Sequence, residues 1–137
     1  MNSQAVLILG NHANRDLAQA VTSAGFVPQV WGSMRHSLDK IVRERFAAVV
    51  IDRKFTRADV LEFILNIRDI DKTIPVVVVG PGKDESIERK IVDQDHTVVL
   101  AEVERTETLA QELAEALGMN KKEDVQENPK EVTQEPS

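Results

Sequence analysis

The sequence predicts a single α/β domain built on a five-stranded parallel sheet with helices on both faces. Three observations support this fold class. Five short apolar segments alternate with five segments that have the apolar spacing of a helix, the alternation is unbroken, and several strand segments are apolar throughout. Strict alternation is typical of right-handed crossovers between parallel strands. Continuous apolar runs are typical of strands that are buried on both faces.

The first half of the chain contains three predicted strands and two predicted helices. The strands are Ala5–Leu9, Val27–Trp31 and residues 47–51, which end at Asp52. Apolar residues at helical spacing mark the helices: Leu17, Ala20, Val21 and Ala24 in the first, and Met34, Leu38, Ile41 and Val42 in the second. We expect Gly25 to end the first helix and Ser33 to cap the second.

The second half contains two more strands, Val76–Val79 and Thr97–Leu100, and three helices. The helices are marked by Val60, Leu61, Ile64 and Leu65, by Ile87 and Ile91, and by Leu109, Leu113, Ala116 and Leu117. After Gly118 the composition changes. Residues 119–137 contain three lysines against five acidic residues and almost no large apolar groups, so they predict a disordered acidic tail or linker. The predicted folded domain is therefore residues 1–118.

Pro28 places the second strand at an edge of the sheet, because proline cannot donate a hydrogen bond to a neighbouring strand. The flavodoxin-like strand order 2-1-3-4-5 has its second strand at such an edge. In this doubly wound order, ligands bind outside the carboxyl ends of the strands, between the first and third strands. The residues that the sequence brings to this edge are Gly10, Asn11, His12, Asp52, Arg53 and Gly80.

The segment AAVVIDRKFTRADVLEFILNIRDIDKTIPVVVVG, residues 47–80, has a distinctive spacing. Asp52 ends the third strand, Phe55 follows three positions later and Asp59 seven positions later, and Ile74-Pro75 precedes the fourth strand. In these features the segment resembles the middle of a response-regulator receiver (CheY-like) domain of two-component systems. The resemblance extends over residues 4–118 and implies that Asp52 holds the position that accepts a phosphoryl group.

Several positions depart from the receiver pattern. The resemblance implies two acidic residues after the first strand, which hold magnesium together with the phosphoacceptor, but Gly10 and Asn11 stand there. It implies a Thr or Ser at the end of the fourth strand and a Lys at the end of the fifth, where the sequence has Gly80 and Leu100. The other departures are Thr97, or His96 one position earlier, for an aromatic switch residue, Ala101 and Thr56 for prolines, and Val60 for a glycine.

These departures bear on function because phosphoryl transfer depends mainly on positioning and charge neutralisation. Magnesium prefers near-octahedral oxygen ligands that include carboxylates, so Asp52 beside Asn11 and His12 is a poor magnesium site. We therefore expect no cofactor. The sequence predicts an atypical pseudo-receiver, not an enzyme, that acts as a protein-interaction module in two-component (phosphorelay) signal transduction, with phosphorylation lost or secondary.

The resemblance also implies where a protein partner binds. Receivers commonly use the face of the fourth helix, fifth strand and fifth helix for partners or for a homodimer. In this sequence that face includes Glu88, Lys90, Glu102, Glu104 and Arg105, which could equally be ordinary solvated charges.

Other interpretations of the same edge stay open. One is a working receiver phosphorylated on Asp52 by a histidine kinase, which would require Mg²⁺. Another is a flavodoxin-like small-molecule-binding domain that uses Asn11, His12, Asp52 and Gly80. In the simplest interpretation, Asp52 is a strand-end acid that pairs with Arg53, Lys54, Arg57 or His12.

Composition limits the remaining classes of function. The sequence has no cysteine, which removes disulfides and thiolate zinc sites and is typical of a cytoplasmic protein. His36 and His96 lack metal-ligand spacing. The net charge of −6 opposes non-specific binding to nucleic acid or anionic membranes. The apolar runs are too short to span a membrane, and the amino terminus lacks the pattern of a signal peptide.

Overall fold

The computed structural model describes residues 4–12, 15–54, 59–100 and 108–117. Strands and helices alternate along these residues. The predicted tail, residues 119–137, and its boundary at Gly118 lie outside the described residues. The elements in chain order are β1 (Ala5–Leu9), α1 (Arg15–Ser23), β2 (Val27–Trp31), α2 (Met34–Arg43), β3 (Ala48–Asp52), α3 (Val60–Ile70), β4 (Val76–Val79), α4 (Glu85–Val92), β5 (Thr97–Leu100) and α5 (108–117).

The five strands form one parallel sheet in the order β2-β1-β3-β4-β5. This result confirms the predicted fold class and strand order. Strand β3 lies at the centre, and each of its residues is buried. Strand β2 lies at an edge, where Pro28 is paired with Val6 of β1 and no second strand among the described residues pairs with β2. A proline is tolerated there because an edge strand leaves half of its N–H groups unpaired.

Alternate residues of each strand face opposite layers of helices. On one face of the sheet, Leu7, Val49 and Val76 pack with buried residues of α2, α3 and α4. On the other face, Val6, Ala48 and Val77 pack with buried residues of α1 and α5. The sheet is therefore covered on both sides, which explains why its central strands are apolar at consecutive positions.

Local signals set several of the element boundaries. Gly25 follows α1 with a φ of 97°, a left-handed conformation that glycine adopts without strain. The Ser33 side chain accepts a hydrogen bond from the His36 N–H at the start of α2. The Asp84 carboxylate accepts bonds from Ser86 and Ile87 at the start of α4. The first two boundaries confirm the sequence-based expectation.

Three of the apolar residues that marked helices in the sequence are exposed in the structure, although the helices that they marked are present. Val42, Leu65 and Ile87 are exposed by 65%, 47% and 41%. In α2 the buried positions are Ser37 and Ile41. Each residue turns a helix by about 100°, so Val42, next to Ile41, points away from the sheet. In the described part of the chain, no helix is both long enough and apolar enough to cross a membrane.

Candidate functional site

Hydrogen bonds beyond the strand ends bring several of the predicted site residues to one edge of the sheet. The Gly10 N–H donates to the Trp31 carbonyl, and the Gly80 N–H donates to the Leu100 carbonyl, both at 2.9 Å. Asp52 is the last residue of β3 and lies opposite Val79 of β4. The carboxyl edge of the sheet therefore holds Gly10, Asp52, Gly80 and Leu100, in the order of the strands that carry them.

Asp52 is buried at this edge, with 3% of its surface exposed. One carboxylate oxygen, Oδ1, accepts a hydrogen bond from the backbone N–H of Lys54 at 3.2 Å. The same side chain packs against Gly10: a Cβ atom added to Gly10 would lie 3.0 Å from the Asp52 Cβ and 3.5 Å from Oδ2. Gly10 therefore provides space that the Asp52 side chain fills.

The donors at this corner do not fit the magnesium site that the resemblance implies. Gly10 has no side chain and little room for one beside Asp52, while Asn11 and His12 are exposed and bring no carboxylate. Among the residues that the structure describes, no group of three or more His, Cys, Asp or Glu side chains could hold a metal ion. A site for a hard divalent cation normally combines carboxylates and water around the metal, and Asp52 supplies one such group.

Arg53 makes an ion pair that sequence analysis did not predict. Its Nη1 donates to Oε1 of Glu88 at 2.8 Å, and its Nη2 donates to Oε2 of the same carboxylate. Nη1 also lies 3.4 Å from the Gly80 carbonyl oxygen. The Arg53 guanidinium is therefore directed to Glu88 of α4. Arg53 was one of four partners, with Lys54, Arg57 and His12, that the simplest interpretation gave Asp52. The partners are 35 residues apart, and no spacing rule links them.

Two glycines make room for this ion pair. Gly80 has a φ of 113°, and a Cβ added there would lie 3.1 Å from the Arg53 Cβ. A Cβ added to Gly82 would overlap the Glu88 carboxylate and lie 2.6 Å from Arg53 Nη1. The position where the resemblance implies a hydroxyl is thus a glycine that packs against an arginine.

Arg68, another residue that sequence analysis missed, organises the opposite, amino edge of the sheet. Its Nη1 donates to the carbonyl of Ile74 at 2.8 Å, and its Nη2 donates to those of Asp95 and His96 at 2.7 and 3.1 Å. Nη2 also lies 3.4 Å from the Thr97 hydroxyl. Burial lowers the pKa of Arg68, and the nearby Asp71 and Asp95 oppose this shift. A lone arginine on a helix gives no sequence signal for such a role.

Thr97, not His96, begins β5, which settles the register at the position where receivers carry an aromatic residue. His96 lies in the preceding turn with a φ of 57°. Asp59, the second acidic residue of the predicted loop, caps α3 by accepting a hydrogen bond from the Glu62 N–H. Several residues that the sequence analysis named lie outside the described part of the chain: Phe55, Thr56, Arg57, Ala101, Glu102, Glu104 and Arg105.

The described part of the predicted partner face carries apolar as well as charged groups. Val92 and Ile87 of α4 and Val98 of β5 are exposed apolar side chains. Lys90 is exposed, whereas Glu88 is directed to Arg53 and is not an ordinary solvated charge. Exposed apolar groups rimmed by charges are typical of surfaces that bind proteins.

Comparison with known proteins gave matches in structure but not in sequence. No protein-family model matches the chain, and no curated protein matches its sequence. A response regulator receiver domain protein (CheY-like) from Methanospirillum hungatei JF-1 superimposes with a TM-score of 0.75 at 14% identity, over 89% of this chain and 99% of that chain.

Two further solved structures have related folds. HP1043, an orphan response regulator of H. pylori, matches with a TM-score of 0.70 at 19% identity, over 84% of this chain and 97% of that chain. The receiver domain of the sensor histidine kinase PA1611 from Pseudomonas aeruginosa PAO1 has a magnesium ion coordinated in its active site cleft. It matches with a TM-score of 0.67 at 16% identity, over 85% of this chain and 99% of that chain. The chain has the fold of the CheY-like response-regulator receiver domains.

Proposed function

We propose that the chain is a receiver-type signalling module that binds a protein partner without a phosphorylation-driven switch. One observation carries the proposal: Arg53, directly after Asp52, packs against Gly80 and pairs with Glu88 of α4. The contact between β3 and α4 is thus already made by protein groups. A switch requires an element with two arrangements whose balance the modification changes.

The charges at the carboxyl edge support the same proposal. A phosphoryl group on Asp52 would add negative charge, which must be neutralised by a cation or by hydrogen-bond donors. Leu100 stands where the resemblance implies a lysine, and the charge of Arg53 is already matched by Glu88. The proposal therefore includes no magnesium cofactor and no catalytic activity.

The proposed partner is a protein that contacts the exposed part of α4 and β5. Val92 offers an apolar anchor, and Arg89 is exposed about one turn earlier on the same side of the helix. Lys90 is exposed elsewhere on the same helix. A second copy of the chain is one candidate partner. The absence of cysteine from the sequence supports the cytoplasm as the place where this module works.

Labelling with acetyl phosphate tests the proposal. The full chain is incubated with acetyl phosphate and MgCl₂, and its intact mass is measured, with Asp52→Asn as the matched control. We expect no stable added phosphoryl mass in either protein. Stable, near-stoichiometric labelling that Asp52→Asn removes would contradict the proposal.

A working receiver is the second candidate, and the position of Asp52 favours it. Asp52 ends β3 at the carboxyl edge, which is the phosphoacceptor position of the resemblance. In cells, this candidate predicts that Asp52→Asn abolishes signalling, whereas the leading proposal predicts little change. The small-molecule hypothesis stays a prediction, which a thermal shift with nucleotides or flavins would test.

A further inference from the structure

The ion pair between Arg53 and Glu88 joins two parts of the fold that are far apart in sequence. Arg53 follows β3, and Glu88 lies in the first turns of α4. Their side chains are only 11% and 26% exposed, and both carboxylate oxygens accept from the guanidinium. A bidentate, partly buried pair of this kind is more strongly directional than a surface salt bridge.

Helix α4 has few other attachments to the body of the domain. Of its eight residues, all of which the structure describes, Ile91 is the one that is fully buried. Helix α3, by comparison, buries Phe63, Ile64 and Ile67. Because apolar burial anchors α4 so weakly, a polar contact near its amino end accounts for a large share of its attachment.

The surrounding backbone is shaped to allow this contact. Gly80 and Gly82 lie between β4 and α4, and a Cβ at either position would crowd Arg53, Glu88 or both. Asp84 caps α4 with its carboxylate and so fixes where the helix begins. The segment from Gly80 to Asp84 therefore places Glu88 within reach of Arg53.

We propose that the Arg53–Glu88 pair is an internal latch that holds the first turns of α4 against the carboxyl edge of the sheet without a phosphoryl group. Loss of either partner releases α4 from this position while the rest of the domain stays folded. The meaning of the latch for signalling rests on the proposed function, because α4 is part of the proposed partner face. Its physical existence does not depend on phosphorylation.

Hydrogen–deuterium exchange on the full chain tests the latch. The variants are Arg53→Ala, Glu88→Gln and the double variant. The matched control is Glu85→Gln, which removes an exposed carboxylate from the same first turn of α4 without touching Arg53. We expect each single variant to exchange the amides of α4 roughly five to ten times faster, and the double variant to be no faster than either single variant. The control and the amides of α1 and α3 should exchange at the wild-type rate.

Several outcomes would overturn the latch. These are unchanged exchange in α4, additive effects of the two substitutions, an equal effect of Glu85→Gln, or faster exchange in every helix. If Arg53→Ala does not fold, the comparison of Glu88→Gln with Glu85→Gln still decides. Suppose that Asp52 is stably phosphorylated and that the variants exchange at the rates expected above. The proposed function would then be overturned, and the latch would stand.

Discussion

Gly10 and Asp52 lie so close together that a Cβ atom added to Gly10 would stand 3.0 Å from the Asp52 Cβ. The contact joins the carboxyl ends of β1 and β3, the two central strands between which doubly wound folds bind their ligands. The resemblance implies an acidic residue at Gly10 that would hold magnesium together with Asp52. The Asp52 side chain itself fills the space that such a residue would need.

Replacing Gly10 by Asp should destabilise the domain. The new Cβ crowds the base of the Asp52 side chain, and a second carboxylate is placed beside a buried one, so we expect a loss of about 2 kcal/mol in the free energy of unfolding. Urea denaturation measures this loss. Gly10→Ala isolates crowding from charge, and Asp52→Asn in the Gly10→Asp background should recover part of the stability. Wild-type stability of Gly10→Asp would show that the corner can accommodate two acids.

Replacing each of three glycines by Ala should destabilise the domain to a different degree. A Cβ on Gly32 meets its nearest neighbour at an ordinary 3.6 Å, Gly25 has a φ of 97° with open space, and Gly80 combines a φ of 113° with the close Arg53 Cβ. Substitution by Ala should cost within about 0.5 kcal/mol at Gly32, about 1 kcal/mol at Gly25 and about 2 kcal/mol at Gly80. Thermal or urea unfolding measures all three. An equal cost at Gly25 and Gly80 would show that Arg53 moves aside freely.

Replacing Arg68 by Met should destabilise the amino edge of the sheet. The Ile74 carbonyl would lose a charged donor in a partly buried place, and the Asp95 carbonyl would lose one at an exposed place, so we expect a loss of about 2 kcal/mol. Arg43→Met is the control, because the Arg43 side chain is 71% exposed and should change stability by no more than about 0.5 kcal/mol. Similar losses of stability in the two variants would show that Arg68 stabilises the domain no more than an exposed arginine does.

Replacing Val92 by Glu tests the proposed partner face through self-association. We expect sedimentation velocity of the full chain to show association that Val92→Glu weakens by about tenfold or more. Val42→Glu is the matched control, because Val42 is similarly exposed but lies on α2. A chain that stays monomeric, or that both substitutions weaken equally, would exclude a homodimer through α4.

The fold was more predictable from sequence than the site, for a physical reason. A strand that is buried on both faces is apolar at consecutive positions, so it can be recognised in the sequence. Strands β1, β2, β4 and β5 have the predicted bounds, and β3 is shifted by one residue. The edge position of β2 followed from Pro28 alone.

The contacts of charged side chains were not predictable in the same way. The Arg53–Glu88 pair links residues 35 positions apart, and the contacts of Arg68 with the carbonyls of Asp95 and His96 link residues 27 and 28 positions apart. These contacts depend on how the helices lie on the sheet. The charge of a side chain does not show which oppositely charged residue it pairs with. Asp52 is next to Arg53 in the sequence, but in the structure Arg53 pairs with Glu88 of α4. The glycines at positions 80 and 82 were the available signal, since a tight backbone often marks a place that a neighbouring side chain fills.

Pro28 also has a consequence for how copies of the chain can assemble. The Val27 N–H donates inward to the Gln4 carbonyl, so the next residue, Pro28, faces the outer rim, where it offers no N–H. A foreign strand that docked along this rim would lack one of its hydrogen bonds, which discourages strand addition and fibril-like growth at this side. Pro28 protects only the β2 side, so association of copies is left to the β5 edge and the helical surfaces.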